Sequence, residues 1–340
     1  MRHILVLAHT GRSEAVQSAV DTCHQLVSAG LMPVIRAADL DCILEAEPSL
    51  VDVVKVLDRD VPLDEIELGM VLGGDGTILR SAEIVRDANP PMLGVNLGHV
   101  GFLAESEHTE LTQAVQRVVN RQYVVEERMT IDVEVWLDHQ KIAHTWALNE
   151  ATVEKADRER MLEVVIEVDA NPISTFGCDG VVMATPTGST AYAFSAGGPV
   201  VWPEVSALVM VPIAAHALFA KPLVVSPAST MAVEVLTRTD AQGVLWCDGR
   251  RTVELPPGAR VEVTRSAFPV RLARLSETPF AERLVRKFEL PIKGWRGPVP
   301  TTSRDAPTTA IPVIREADVV EPPHNTERLQ YLPGHHNNTP

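Results

Sequence analysis

Leu68-Gly69-Met70-Val71-Leu72-Gly73-Gly74-Asp75-Gly76-Thr77-Ile78-Leu79-Arg80 is the stretch on which the fold reading turns. Leu68 to Leu72 is a short apolar run with no polar face, the pattern of a strand buried on both sides. Three glycines then let the chain reverse sharply. From Thr77 to Asp87 the apolar residues recur at helical spacing, and Thr77 offers a hydroxyl to cap that helix. Asn89-Pro90-Pro91 stops it, and Met92 to Val95 reads as another strand. A strand, a glycine turn, a helix and a strand make one right-handed parallel unit.

The unit has a predecessor. Ile4 to Ala8 reads as a strand and His9-Thr10-Gly11-Arg12 as a turn. A helix follows from Ser13 to about Ala29, with Val16, Val20, Cys23 and Val27 on one face. Gly30 ends that helix, and Met32 to Ile35 is the next strand. Residues 39–62 suggest a short helix and a further strand, and a helix over about 107–120 closes this half. The first 125 residues therefore read as an open α/β sheet.

Beyond Tyr123 the pattern becomes β-rich. Thr130–Leu137, Val164–Val168, Met231–Leu236 and Arg260–Arg265 read as strands with little helix between them. The expected organisation is an α/β domain over 1–125, a β-rich domain over 126–267, and a strand and helix over 268–296 (Val270–Leu275 and Phe280–Phe288). These last two elements would return to the first domain. Residues 297–340 hold eight prolines in 44 positions and no sustained apolar period, which predicts a disordered tail.

With 340 residues, two domains are the natural expectation. A formal net charge of −15 argues against nucleic acid and anionic membranes as partners, so any phosphate site must be local. Cys23, Cys42, Cys178 and Cys247 show neither Cys-x-x-Cys nor zinc-ligand spacing, and read as idle thiols. The first apolar run is too short for a signal peptide or a membrane span, which predicts a cytoplasmic protein.

Three stretches carry chemistry. In Gly73-Gly74-Asp75-Gly76-Thr77 the side-chain-free N–H groups can approach an anion, and the helix that follows adds partial positive charge. The spacing is neither that of a P-loop nor that of a dinucleotide fingerprint. Asp75 would repel phosphates unless it held a cation or took a proton, and a kinase needs both services. The second stretch runs from Asp179 through Thr185-Pro186-Thr187-Gly188-Ser189-Thr190-Ala191-Tyr192, followed by Ser195-Ala196-Gly197-Gly198-Pro199. Its hydroxyls can meet phosphates and riboses, and Tyr192 offers a ring to a base or a ribose face. The third is Asn149-Glu150, able to hold vicinal hydroxyls. Taken singly, each has a plainer reading: a glycine turn, a polar loop, a polar strand end.

Together these stretches, with Asn96-Leu97-Gly98-His99-Val100-Gly101-Phe102-Leu103 and Cys247-Asp248-Gly249, resemble the NAD kinase family over roughly residues 1–296. The glycine loop is shared with diacylglycerol and sphingosine kinases. The Thr-Pro-Thr-Gly-Ser-Thr-Ala-Tyr stretch is much more specific. The resemblance implies a two-domain NAD kinase/diacylglycerol kinase-like fold. It also implies phosphorylation of the 2′-hydroxyl of the adenosine ribose of NAD, with ATP as donor and a divalent metal (Mg or Mn), to give NADP. Some bacterial members also accept inorganic polyphosphate.

By the same resemblance, Asp75 is the catalytic residue. Gly76 is its partner in contacting the substrate, Gly73, Gly74 and Thr77 complete the nucleotide-binding loop, and Arg80 faces phosphate. Asn149 and Glu150 hold ribose, Asp179 faces a heterocycle, and Thr187, Gly188, Ser189, Thr190, Ala191 and Tyr192 surround the adenine and its ribose. Arg160 corresponds to a basic phosphate contact, and a homodimer or homotetramer with sites shared between subunits is implied. Arg250 departs from the family, which often has Gln there. The alternatives are a lipid kinase and a non-catalytic NAD(H)-binding sensor. The acidic charge and the hydroxyl-rich stretch oppose the first; the complete set of motif residues opposes the second.

Overall fold

The computed structural model describes residues 1–97, 101–104, 106–107, 111–157, 159–238, 240–275 and 278–292. Gly98, His99, Val100, Trp295 and the proline-rich segment after it lie outside the described residues.

One sheet holds β1 (His3–Ala8), β2 (Met32–Ile35), β3 (Lys55–Val56), β4 (Ile66–Leu72), β5 (Met92–Asn96), β6 (Ser106–Glu107), β7 (Val124–Arg128) and β20 (Val270–Arg274). Its order is β3-β2-β1-β4-β5-β20-β7, with β6 beside β5. All pairings are parallel except β20 with β7. Helices α1 (Ser13–Ser28), α2 (Ala37–Ala46), α3 (Asp75–Val85) and α4 (Leu111–Val119) connect these strands. Ile4 and Val6 pack with residues of α1 and α4 on one face. Leu5 and Leu7 pack with Ile78, Ala82 and Val85 of α3 on the other. Covering both faces is what requires the unbroken apolar runs of β1 and β4. Each fully buried aliphatic side chain contributes about 1.5–3 kcal/mol.

Two six-stranded antiparallel sheets follow. One contains β10 (Glu150–Lys155), β13 (Gly180–Ala184), β14 (Leu208–Ile213), β15 (Leu223–Val225), β17 (Gly243–Cys247) and β18 (Arg251–Leu255). The other contains β8 (Ile131–Leu137), β9 (Gln140–Ala147), β11 (Leu162–Val168), β12 (Asn171–Cys178), β16 (Met231–Val235) and β19 (Arg260–Arg265). Alternating residues of both sheets, such as Val133, Val164, Val233 and Val261 against Val153, Val181 and Leu245, form one core. The short α5 (Tyr192–Ser195) and the closing α6 (Phe280–Phe288) complete the described elements.

The architecture is the expected one, an α/β sheet followed by a β-rich region. Several local expectations differ from the structure. Ser13 and Thr77 do not cap their helices: α1 and α3 begin one and three residues earlier than a cap there requires, after Arg12 and Gly74, and neither has a side-chain cap. On α1 it is Leu26, not Val27, that faces the core; Val27 is exposed. The expected Val16, Val20 and Cys23 are buried, and in the last turn the buried face passes through Leu26 beside Val27.

Candidate active site

The sheet order reverses between β1 and β4: the chain leaves β1 toward β2 and leaves β4 toward β5. At such a switch point the loops after the two strands part and leave a crevice at their carboxyl ends. Here the crevice is a cleft of about 570 Å³. His9 and Arg12 line it from the loop after β1, and Gly73 to Thr77 from the loop after β4. Arg80, Arg250 and Lys287 add positive charge from α3, the β17–β18 turn and α6, while Glu14 and Asp248 add carboxylates.

The turn after β4 is built for glycine. Gly73 has φ +154°, and a Cβ there would overlap the Thr77 hydroxyl. The Gly73 N–H donates to the Val95 carbonyl at 2.9 Å, tying the turn to β5. Asp75 opens α3, and both its carboxylate oxygens accept backbone hydrogen bonds: Oδ2 from Phe102 N–H at 3.0 Å and Oδ1 from Leu103 N–H at 3.1 Å. The segment after β5 thus holds the Asp75 carboxylate in one orientation inside the cleft.

A second polar node lies where β10 begins. Asp248 is buried, and its carboxylate accepts from the N–H of Leu148 at 3.0 Å and of Asn149 at 2.7 Å, and from Arg251 at 2.8 Å. Burial pushes its pKa up; the two amides and the guanidinium oppose that shift. Glu150 has its pKa pushed up to about 8, first by burial and then by the nearby Asp248 charge, with the Tyr192 N–H opposing. One oxygen, Oε2, is buried without a partner. Near neutral pH Glu150 is therefore predominantly the neutral acid, able to donate as well as accept.

The hydroxyl-rich loop folds against this node. The Thr185 hydroxyl donates to the Leu148 carbonyl at 2.6 Å and accepts the Gly188 N–H at 3.1 Å. A Cβ at Gly188 would overlap the backbone carbonyl of Asn149, so only glycine lets the two segments touch. The buried Ser189 hydroxyl donates to Pro186 O at 2.6 Å and accepts the Val201 N–H at 2.9 Å. Thr190 donates to Thr187 O. Much of the hydroxyl content expected to face a ligand is thus used to shape the loop. Tyr192 is 40% exposed, and partial burial of its phenol, with its hydrogen bond to Glu154, pushes its pKa up to about 12. Asp179 pairs with Lys155 at 2.6 Å.

The structure gathers Gly73, Gly74, Asp75, Gly76, Thr77 and Arg80 around the cleft, and Asn149, Glu150, Thr187, Gly188, Ser189, Thr190, Ala191 and Tyr192 around the Asp248 node. Asp248 belongs to both, because it lines the cleft and its N–H donates to Glu150 O. Arg160 does not join them: it is exposed in the loop between β10 and β11. Arg12 and Lys287 were not singled out by the sequence. Their only signal is a basic residue in a loop or helix end that strand order later places at the switch point.

The family models for the ATP-NAD kinase N-terminal domain and the ATP-NAD kinase C-terminal domain match residues 4–123 and 148–275. The chain belongs to the ATP-NAD kinase family. It is 61% identical over 297 residues to the NAD kinase of Leifsonia xyli subsp. xyli, covering 87% of this chain and 97% of that one. It is 60% identical over 300 residues to NAD kinase 2 of Streptomyces coelicolor, with the same two shares. In fold it resembles a yeast NADH kinase complexed with NADH, with TM-score 0.76, 22% identity and coverage of 85% and 88%. It also resembles an NAD kinase from Archaeoglobus fulgidus in complex with ATP, with TM-score 0.65, 24% identity and coverage of 85% and 100%. Among the described residues no helix is long and apolar enough to cross a membrane.

Proposed function

We propose that this chain is an NAD kinase that transfers the γ-phosphoryl group of ATP to the 2′-hydroxyl of the adenosine ribose of NAD, giving NADP and ADP. Family membership supports the reaction. The single observation that supports the mechanism is the Asp75 carboxylate, pinned by two amides at the mouth of a cleft carrying Arg12, Arg80, Arg250 and Lys287. In this reading Asp75 orients the ribose hydroxyl and takes its proton as the new O–P bond forms and the bond to ADP breaks. Little proton removal is needed before a loose phosphoryl transfer, so position matters more than basicity.

The remaining residues bind and orient. The glycine-loop N–H groups, with Gly73, Gly74, Gly76 and Thr77, approach the phosphates, and Arg80 neutralises them. Asn149 and Glu150 hold ribose, with neutral Glu150 able to donate to a hydroxyl. Asp179, Thr187, Gly188, Ser189, Thr190, Ala191 and Tyr192 form the walls around adenine and its ribose.

Among the described residues no three His, Cys, Asp or Glu side chains converge to hold a metal. A Mg²⁺ or Mn²⁺ ion would be held mainly by the donor's phosphates. Such an ion would supply neutralisation of phosphate charge.

A cytoplasmic homodimer or homotetramer completes the reading. The exposed apolar Leu218, Phe219 and Val224 favour self-association, and an exposed Arg160 is available to a neighbouring subunit's site.

The test is Asp75→Asn in a coupled NADP assay with NAD binding measured alongside. Turnover should fall by about 10²–10⁴-fold while NAD still binds. Near-normal turnover would sink the assignment of Asp75.

A further inference from the structure

Helix α3 begins with Asp75, and about two turns further on it presents Glu83 to the turn between β17 and β18. Arg250 of that turn donates from Nε to one Glu83 carboxylate oxygen at 3.3 Å and from a terminal nitrogen to the other at 3.4 Å. Arg251 reaches the same carboxylate at 3.3 Å. Arg251 also donates to the Asp248 carboxylate and to the Trp146 carbonyl, both at 2.8 Å. Asp248 in turn holds the amides of Leu148 and Asn149. A run of polar contacts therefore joins the helix that carries Asp75 to the segment that carries Asn149 and Glu150.

One turn beyond Glu83, Arg86 makes a second tie. Its guanidinium lies 4.1 Å from the centre of the Trp146 ring, which Arg251 also covers at 4.6 Å. It donates to the Phe268 carbonyl at 2.6 Å, where the chain crosses from β19 of one sheet to β20 of another. Arg86 thus fastens the end of α3 to that crossing, and Glu83 fastens its middle to the turn bearing Asp248.

The side chains of Glu83, Arg250 and Arg251 are all partly exposed, and ion pairs of that kind add little to stability. Alignment is a different matter. Asp75 follows β4 of the parallel sheet, while Asn149 and Glu150 stand at the start of β10 in an antiparallel sheet. A displacement of about 1 Å between two groups that must meet in a reaction can cost a large factor in rate.

We propose that Glu83 is a positioning residue for phosphoryl transfer: by gripping Arg250 and Arg251 it sets the spacing between Asp75 and the ribose-holding segment. This rests on the kinase reading given above. Each substrate keeps its own contacts when the grip is lost, so the loss falls on turnover and not on binding.

The experiment compares the full-length parent chain with Glu83→Gln, Arg250→Gln and the double variant. NADP formation is measured while ATP and NAD are varied separately, and melting temperatures are recorded. In Glu83→Gln kcat should fall about tenfold, with both KM values within twofold of the parent's and a nearly unchanged melting temperature. Arg250→Gln should lose a similar factor, and the double variant no more than Glu83→Gln alone, because a single interaction is being removed. A kcat within twofold of the parent in Glu83→Gln overturns the proposal. So do losses that multiply in the double variant, and so does a raised ATP KM at unchanged kcat in Arg250→Gln, which would make Arg250 a direct donor contact. Loss of kcat that tracks a lower melting temperature in both single variants would mark the pair as structural and overturn it too. A parent chain that forms no NADP would instead refute the kinase reading itself, so the two failures are distinguishable.

Discussion

The loop after β4 and the loop from Thr185 to Tyr192 are both rich in small residues, yet they handle polar groups in opposite ways. In the first, glycines clear space and a single carboxylate is held by two amides at the edge of an open, charged cleft. In the second, Thr185, Ser189 and Thr190 bond to nearby backbone, and beside it a buried Asp248 ties down the amides of Leu148 and Asn149. The first region keeps its polar group available. The second uses its polar groups to fix a shape against which a ligand can pack. Chemistry at a phosphate requires charge that stays accessible, whereas recognition of a heterocycle and a ribose requires walls that do not move.

That contrast can be broken by substitution. The largest effect on activity belongs to Asp75→Asn, with the 10²–10⁴-fold loss given above and little change in melting temperature. If it unfolded the protein, the availability assigned to that loop would be wrong. Asp248→Ala should behave in the opposite sense. It leaves two buried amides without their acceptor and removes one of the partners of Arg251, and breaking a buried pair of this kind costs about 3–5 kcal/mol. Denaturant unfolding reads this directly, and an unchanged midpoint would show that the node is not structural.

A smaller effect is expected from Gly188→Ala. The added methyl has to displace the Asn149 backbone, and overpacking of this sort costs about 1–3 kcal/mol. Weaker NAD binding at nearly unchanged ATP affinity would place the damage at the recognition loop, while the reverse pattern would contradict the division of labour.

A pH effect is expected at Glu150. Its pKa is raised from 4.5 to about 8 in the folded state, so folding favours the protonated form. Its stability contribution is complete below the unfolded value near 4.5 and is lost as pH rises through about 8. Glu150→Gln cannot ionise and escapes that loss. Relative to the parent, it should gain melting temperature between pH 5 and pH 8.5. A difference that stays flat across that range would remove the titration from Glu150.

Much of this was legible in the residues. β2, β19 and α6 have the bounds that their periodicity predicts, because each has a clear apolar alternation or stripe and a breaker at its end. Strands such as β10, β13 and β17 were not separated in advance. Their apolar runs sit beside the polar and glycine-rich stretches 149–150, 185–190 and 248–249, and the chemistry of those stretches masks the period. The hydroxyls of Ser13 and Thr77 do not cap α1 and α3. A hydroxyl near a helix start is a cap only if the backbone places it before the first turn, and here it lies within the helix.

The sequence alone determined the two halves of the molecule, the glycine turn with its aspartate, and the family, since each depends on residue types at fixed local spacing. The tertiary structure decided which distant groups share a cleft. Arg12, Asp75, Arg80, Asp248, Arg250 and Lys287 come from four regions of the chain separated by up to 275 positions. They meet because strand order reverses between β1 and β4, and because ring packing on Phe102 and Phe194 brings α6 back to that point. Strand order and ring packing are long-range outcomes of burial, and local spacing does not encode them.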